Sequence, residues 1–183
     1  MYKTYLCIDL KSFYASVECV EQGLDPFEVN LVVADPTRGG GAITLAASPA
    51  IKKLGVSSRG RIFEIDPKIE YMITPPRMHL YMEYSCKVYK VFLEFIAKED
   101  IHVYSIDESF LDVTSYLKLY QVNAKELAKK MLDRIYEKTG LTATVGIGTN
   151  LYLAKIAMDI SAKHNANRIA YLNEDLYRQT LWH

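Results

Sequence analysis

Long apolar runs are missing from this sequence. No stretch approaches the roughly 18 consecutive apolar residues that a membrane-spanning helix requires, which excludes a helical membrane protein. Cysteine is scarce: the 3 present, Cys7, Cys19 and Cys86, are odd in number and far apart. They show neither CxxC spacing nor a nearby His cluster, which argues against a zinc site or a disulfide framework and predicts reduced, buried thiols. An excess of one charge is absent too, since 22 Lys and Arg meet 22 Asp and Glu. Net charge therefore advertises no polyanionic partner, and a nucleic-acid role would rest on local patches or on sequence outside these residues. The N-terminal "MYKTYLCIDL" carries neither a basic leader before a long apolar segment nor a small-residue cleavage site, so a cytoplasmic chain is expected. What is present is ordinary for a soluble domain: 183 residues, 50% hydrophobic and 24% charged, enough to bury a core without disulfides.

Apolar periodicity divides the chain. "TYLCIDL" (4–10) reads as a strand, and "SFYASVECVEQ" after it spaces Phe13, Val17 and Val20 as a helix behind a capping Ser12. From Asp25 to about Pro76 turn residues recur in "PTRGGG", "SSRGR" and "TPP" among short apolar runs, the texture of a small insertion with its own strands and a helix near 48–54. Residues 77–98 place Tyr84, Val88, Val91, Phe92, Phe95 and Ile96 on one face of a long amphipathic helix. Two strands follow, about 102–106 and 109–113. Asn123 and Glu126 form a capping-box pattern for a helix over 123–138. "LTATVGIGT" reads as a strand ending in glycines, "NLYLAKIAMDISAK" as a helix capped by Asn150, and "RIAYL" as a last short strand. Without the insertion this order suits an α+β fold of ferredoxin-like kind, an antiparallel or mixed sheet with helices on one face.

The stretch "HVYSIDESFLDV" (102–113) runs apolar segments into two adjacent carboxylates, Asp107 and Glu108. Adjacent strand residues point to opposite faces, so these two serve one site only if the turn swings them together. Asp9, near the end of the first strand, shares a face with Cys7 and Tyr5. If that strand lies beside the hairpin, three carboxylates meet at one sheet end, a density of negative charge that calls for a divalent metal. Hard oxygen donors without Cys or His select magnesium or manganese, and two such ions about 3.5–4 Å apart are the usual device for displacement at phosphorus. An acidic pair in a turn is by itself most often solvated surface. Ser105 and Ser109 fit local support of the turn, and His102 and His164 lack partners at ligand spacing. "TRGGG" (37–41) has no Gly-Lys-Ser/Thr after it, which disfavours a P-loop.

Three segments together, "CIDLKSFYASVE" (7–18), "SIDESFLDV" (105–113) and "TVGIGTNLYLAKIAMD" (144–159), resemble the Y-family lesion-bypass DNA polymerases, in particular the UmuC-like branch. The resemblance covers essentially the whole chain and is specific in the combination and order of motifs. It implies that Asp9, Asp107 and Glu108 are the catalytic metal ligands for two magnesium ions, with manganese as a substitute and the Leu10 carbonyl as a further ligand. It implies nucleotide contacts from Tyr14, which would exclude the ribose 2′-hydroxyl, from its neighbours Leu10 and Phe13, and from Lys163, whose segment "AKHNAN" holds an insertion relative to the usual family spacing. Family members commonly carry a Tyr and an Arg three residues apart on the fingers helix; "ASPAIKKLGV" has Pro49 and Lys52 there, and Lys52 meets a phosphate as a point charge without the bidentate fork of Arg.

By the same resemblance, residues 1–24 and 77–183 would form the palm and 25–76 the fingers. The thumb and the little finger that grips duplex DNA would be absent, as in a truncated chain. Duplex binding depends on many cationic contacts, and much of that surface would lie beyond residue 183. The implied activity is two-metal nucleotidyl transfer from a deoxynucleoside triphosphate to a primer 3′-hydroxyl, with primer-template DNA as partner, and little or no extension is expected from this chain alone. Contacts with a sliding clamp or other damage-response proteins would fall outside these residues. A nucleotidyl cyclase also uses a palm-like sheet and two acids, but its Gly-Gly-acidic hairpin is lacking. A non-catalytic damage-response module is disfavoured by a complete acidic triad.

Overall fold

The computed structural model describes residues 3–181. In chain order the main elements are β1 (Tyr5–Leu10), α1 (Phe13–Glu21), β2 (Leu31–Val33), β3 (Ala46–Ala47), α2 (Pro49–Lys53), β4 (Met72–Thr74), α3 (Met78–Leu93), β5 (Ile101–Val103), β6 (Glu108–Asp112), α4 (Thr114–Tyr120), α5 (Ala124–Thr139), β7 (Ala143–Gly148), α6 (Leu151–Ile156), β8 (Ile169–Leu172) and α7 (Glu174–Thr180). They fall into two compact units, residues 1–10 with 85–183, and residues 11–84.

The first unit is built on a five-stranded mixed sheet in the order β5-β6-β1-β7-β8. Strand β1 pairs antiparallel with both β6 and β7, and β7 pairs parallel with β8. The registers pair Cys7 with Phe110 and with Gly146, and Asp9 with Glu108 and with Thr144. Directly paired residues share a face, so the odd-numbered side chains of β1 and the even-numbered ones of β6 and β7 lie together. On that face Cys7, Phe110, Ala154 and Met158 form a buried cluster, with Tyr5 packed against it. The adjacent even-numbered β1 residues, Leu6 and Ile8, are buried as well. Helix α5 packs against β7 and β8 and buries Leu127, Met131 and Ile135, the residues its periodicity singled out. Its capping box is formed: the Asn123 carboxamide accepts from Glu126 N at 2.9 Å, and the Glu126 carboxylate accepts from Asn123 N at 3.0 Å.

The second unit holds a three-stranded sheet, β3-β2-β4, with β3 antiparallel and β4 parallel to β2. Val32, Ala47, Ile51 and Ile65 are its buried centre. Helix α2 starts with Pro49 at its first turn and Ser48 as cap, the arrangement in which proline's missing N–H costs nothing. The unit is wider than the segment 25–76 read as an insertion, because α1 packs on β2 and β3 and Glu18 of α1 binds Arg77, just ahead of α3.

Several local expectations differ from the structure. Helix α3 ends at Leu93 rather than 98; Phe95 and Ile96 continue the apolar spacing only because a turn carries Ile96 back into the core. Glu108 opens β6 instead of sitting in the turn. Ser12 stands at the start of α1 without capping it: its backbone is left-handed (φ 51°, ψ 44°) and its hydroxyl accepts from Lys52 Nζ at 3.0 Å. All three cysteines are free, but Cys86 is exposed. Helices α4 and α7 were not read from the sequence.

Candidate active site

The acids predicted to meet come from the end of β1, the β5–β6 turn and the start of β6. Asp9 and Glu108 are cross-strand partners on one face. Asp107 escapes strict alternation because it lies in the bend before β6, where its carbonyl accepts from Leu10 N at 2.9 Å and Ser105 Oγ donates to its carboxylate at 2.7 Å. Tyr104 N and Ser105 N both donate to Glu108 O at 3.0 Å, closing the turn.

Two lysines from the α6 segment reach the acids. Lys155 Nζ lies 2.6 Å from Glu108 Oε1 and 3.4 Å from Asp159 Oδ2. Lys163 Nζ lies 2.8 Å from Asp159 Oδ1 and 3.8 Å from Asp9 Oδ2. Cys7 donates its thiol to Glu108 Oε1 at 3.2 Å. Four carboxylates, Asp9, Asp107, Glu108 and Asp159, thus act on one another and on two ammonium groups. The Lys155 ammonium also stands 5.4 Å from the Tyr104 ring centroid, a cation–π distance.

After α6 the chain widens into a π-helical turn, Ala157–Ser161, and tightens again over Ala162–His164. Such turns take up an extra residue and recur at functional sites. Beyond this one, Lys163 stands 3.8 Å from Asp9.

The electrostatics follow from this crowding. Burial pushes the Asp9 carboxyl up from 3.8 to about 6; Lys163 opposes the shift, and the negative fields of Asp107, Glu108 and Asp159 add to it. Burial alone would lower Lys155, but its hydrogen bond to Glu108 together with the negative fields of Glu108 and Asp159 outweighs that and holds it above the usual lysine range. Burial likewise raises the Cys7 thiol, with Glu108 contributing, so it stays protonated.

A testable consequence concerns Asp9 itself. Its folded value exceeds its unfolded one, so the folded chain binds the extra proton between about pH 4 and 6, and this group's contribution to stability is full below that window and lost as pH rises through about 6. Its side chain is 20% exposed, so a partial penalty is expected at neutral pH. Asp9→Asn should raise stability by about 1–2 kcal/mol at neutral pH, shrinking to nothing near pH 4; urea titrations at both pH values check this.

The donor set fits a hard divalent cation: a carboxylate held reluctant to ionise by burial, and further by its like-charged neighbours, is one that an added cation would relieve. Among the described residues, however, no three His, Cys, Asp or Glu stand close enough together to hold a metal ion as they are.

The predicted nucleotide contacts divide between the units. Lys163 stands with the acids. In the unit of residues 11–84, Tyr14 is half-buried, Lys52 is exposed and Phe13 is 4% exposed, so a nucleotide could meet Phe13 only through its main chain. Leu10 is buried and its amide is used on Asp107. Sequence reasoning missed Lys155, Asp159 and the thiol of Cys7. The spacing Lys155, Asp159, Lys163 at successive steps of four was the available signal.

A five-stranded mixed sheet presenting acids from two paired strands, flanked by a helix that carries cations, is the frame the three motifs called for. The chain belongs to the impB/mucB/samB family, matching it over residues 8–159, which bears out the Y-family resemblance. It is 40% identical over 183 residues to UvrX of Bacillus subtilis (strain 168), a protein named for UV-damage repair, covering 98% of this chain and 42% of that protein. It is 37% identical over 181 residues to DNA polymerase IV 2 of the same organism, covering 98% of this chain and 43% of that protein. Among solved structures it superimposes on DinB from Sulfolobus solfataricus with a TM-score of 0.80 at 29% identity, covering 96% of this chain and 50% of that one. The chain therefore spans less than half the length of these curated relatives. Among the described residues no helix is long and apolar enough to cross a membrane.

Proposed function

We propose that this chain is the metal- and nucleotide-binding part of a lesion-bypass DNA polymerase, with residues 1–24 and 77–183 as palm and 25–76 as fingers. The reaction is attack of a primer 3′-hydroxyl on the α-phosphorus of a deoxynucleoside triphosphate, releasing pyrophosphate on a DNA template. The observation that carries the reading is the cross-strand pairing of Asp9 with Glu108, with Asp107 tied to the end of β1 by the Leu10 amide. Membership in a family whose relatives are named as DNA polymerases supports it.

In this reading Asp9, Asp107 and Glu108, with the Leu10 carbonyl, hold magnesium, two ions in the working site and manganese as substitute. Magnesium when bound neutralises charge on the phosphates and lowers the barrier to displacement. Asp9 must be ionised to serve, which its value of about 6 permits at neutral pH. Lys163 exchanges its carboxylate partners for triphosphate oxygens, and Lys52 supplies a second point charge. Tyr14 meets the sugar. Turn geometry and strand register arrange Asp9, Asp107 and Glu108 before substrate arrives, and such positioning is the chief protein contribution to phosphoryl transfer. A sliding clamp would be engaged by the part of the relatives that this chain does not span, and the reaction takes place in the cytoplasm.

Calorimetric titration with manganese tests the site. Asp107→Ala should weaken binding about tenfold or more relative to the unsubstituted chain. Equal affinity would remove the enzymatic reading.

A further inference from the structure

Tyr14 does not stand alone. Its ring lies stacked on Tyr81, with centroids 4.4 Å apart and planes within 14°, while Phe13 tilts against Tyr14 at 5.6 Å and meets Tyr81 edge-on at 6.3 Å. Tyr81 is 0% exposed, and its hydroxyl donates to Glu18 Oε1 at 2.7 Å. Glu18, also 0% exposed, accepts from Arg77 Nε at 3.0 and 3.2 Å and from Nη2 at 2.6 Å. Burying a carboxylate and a phenol is costly when a leucine or phenylalanine would fill the same space. What the polar anchor adds is orientation, because the terminal torsion of an aromatic side chain is otherwise broad.

We propose that Tyr81 is a positioning residue: held by Glu18 and Arg77, it fixes the plane of the Tyr14 ring and thereby sets how strictly the chain separates deoxyribonucleoside from ribonucleoside triphosphates. This rests on the reading of Tyr14 as the sugar contact. A ring released from its stack can tilt, and a displacement of about 1 Å at its far edge is enough to change what fits beside it.

The test is titration of the 183-residue chain with dATP and with ATP in the presence of manganese. The unsubstituted chain should prefer dATP, and Tyr14→Ala should abolish the preference. Tyr81→Leu should reduce the ratio of affinities about tenfold, with a smaller effect on dATP affinity itself. Tyr81→Phe, which keeps the ring but loses the hydrogen bond to Glu18, should fall between the unsubstituted chain and Tyr81→Leu, and a ratio equal to that of the unsubstituted chain would overturn the part assigned to Glu18 and Arg77. If the chain shows no preference, or Tyr14→Ala leaves it intact, the sugar-contact reading fails and this inference with it. If Tyr14→Ala abolishes the preference and Tyr81→Leu does not, only the role of Tyr81 is overturned. Should Tyr81→Leu unfold, ring-flip rates of carbon-13-labelled tyrosine decide on the unsubstituted chain: slow flipping of Tyr14 is expected, and fast flipping overturns the proposal.

Discussion

Gly146→Ala is expected to destabilise the chain by about 4 kcal/mol or more, beyond the usual range for a single methyl group. Gly146 lies in β7 on the face of Cys7, where α6 and the π-helical turn cross the sheet. A Cβ there would run into the Ala154 carbonyl and the Met158 amide and come within 2.7 Å of Met158 Cβ. The first two of these are backbone, so no side-chain rotation relieves the clash and the helix itself must lift. Gly148 faces the same obstacle, with Leu153 C at 2.7 Å and the Ala154 amide nearer still. These two glycines let the helix approach closely enough for Lys155 to reach Glu108. A urea midpoint for Gly146→Ala close to that of the unsubstituted chain would show that the helix is free to move and that the close approach does not set the position of Lys155.

Arg77→Met is expected to cost about 3–4 kcal/mol, because it strands the fully buried carboxylate of Glu18 with one phenol as its remaining named partner. Much of that loss reflects an uncompensated buried charge rather than the worth of the pair. Combining it with Glu18→Gln should therefore recover about 1–3 kcal/mol. Denaturant unfolding of the two single variants and the double variant measures this; additive losses would mean that Glu18 and Arg77 are not coupled.

The order of strands and helices was legible because most elements carry their own period, as in α5 with Leu127, Met131 and Ile135 and its Asn123–Glu126 cap. Short elements were not. Helix α4 has no fully buried residue to mark a face, and neither has α7. The acids were legible as a set through their motifs, but the pairing of Asp9 with Glu108 depends on strand register, which residue counts in a turn do not determine. Lys155 was missed because the carboxylate that it reaches, Glu108, lies on another element, and Asp159 because a charge at steps of four from two lysines also fits a solvated helix face. Ser12 looked like a cap by residue type, yet its left-handed backbone turns the hydroxyl to Lys52.

Lys155 and Lys163 each stand four residues from Asp159, about 40° to either side of it around the axis, so one carboxylate is shared between two ammonium groups. Drawing Lys163 away would leave Asp159 with Lys155 at 3.4 Å, while Glu108 keeps the same ammonium at 2.6 Å. The shared acid makes one of the two cations dispensable to it.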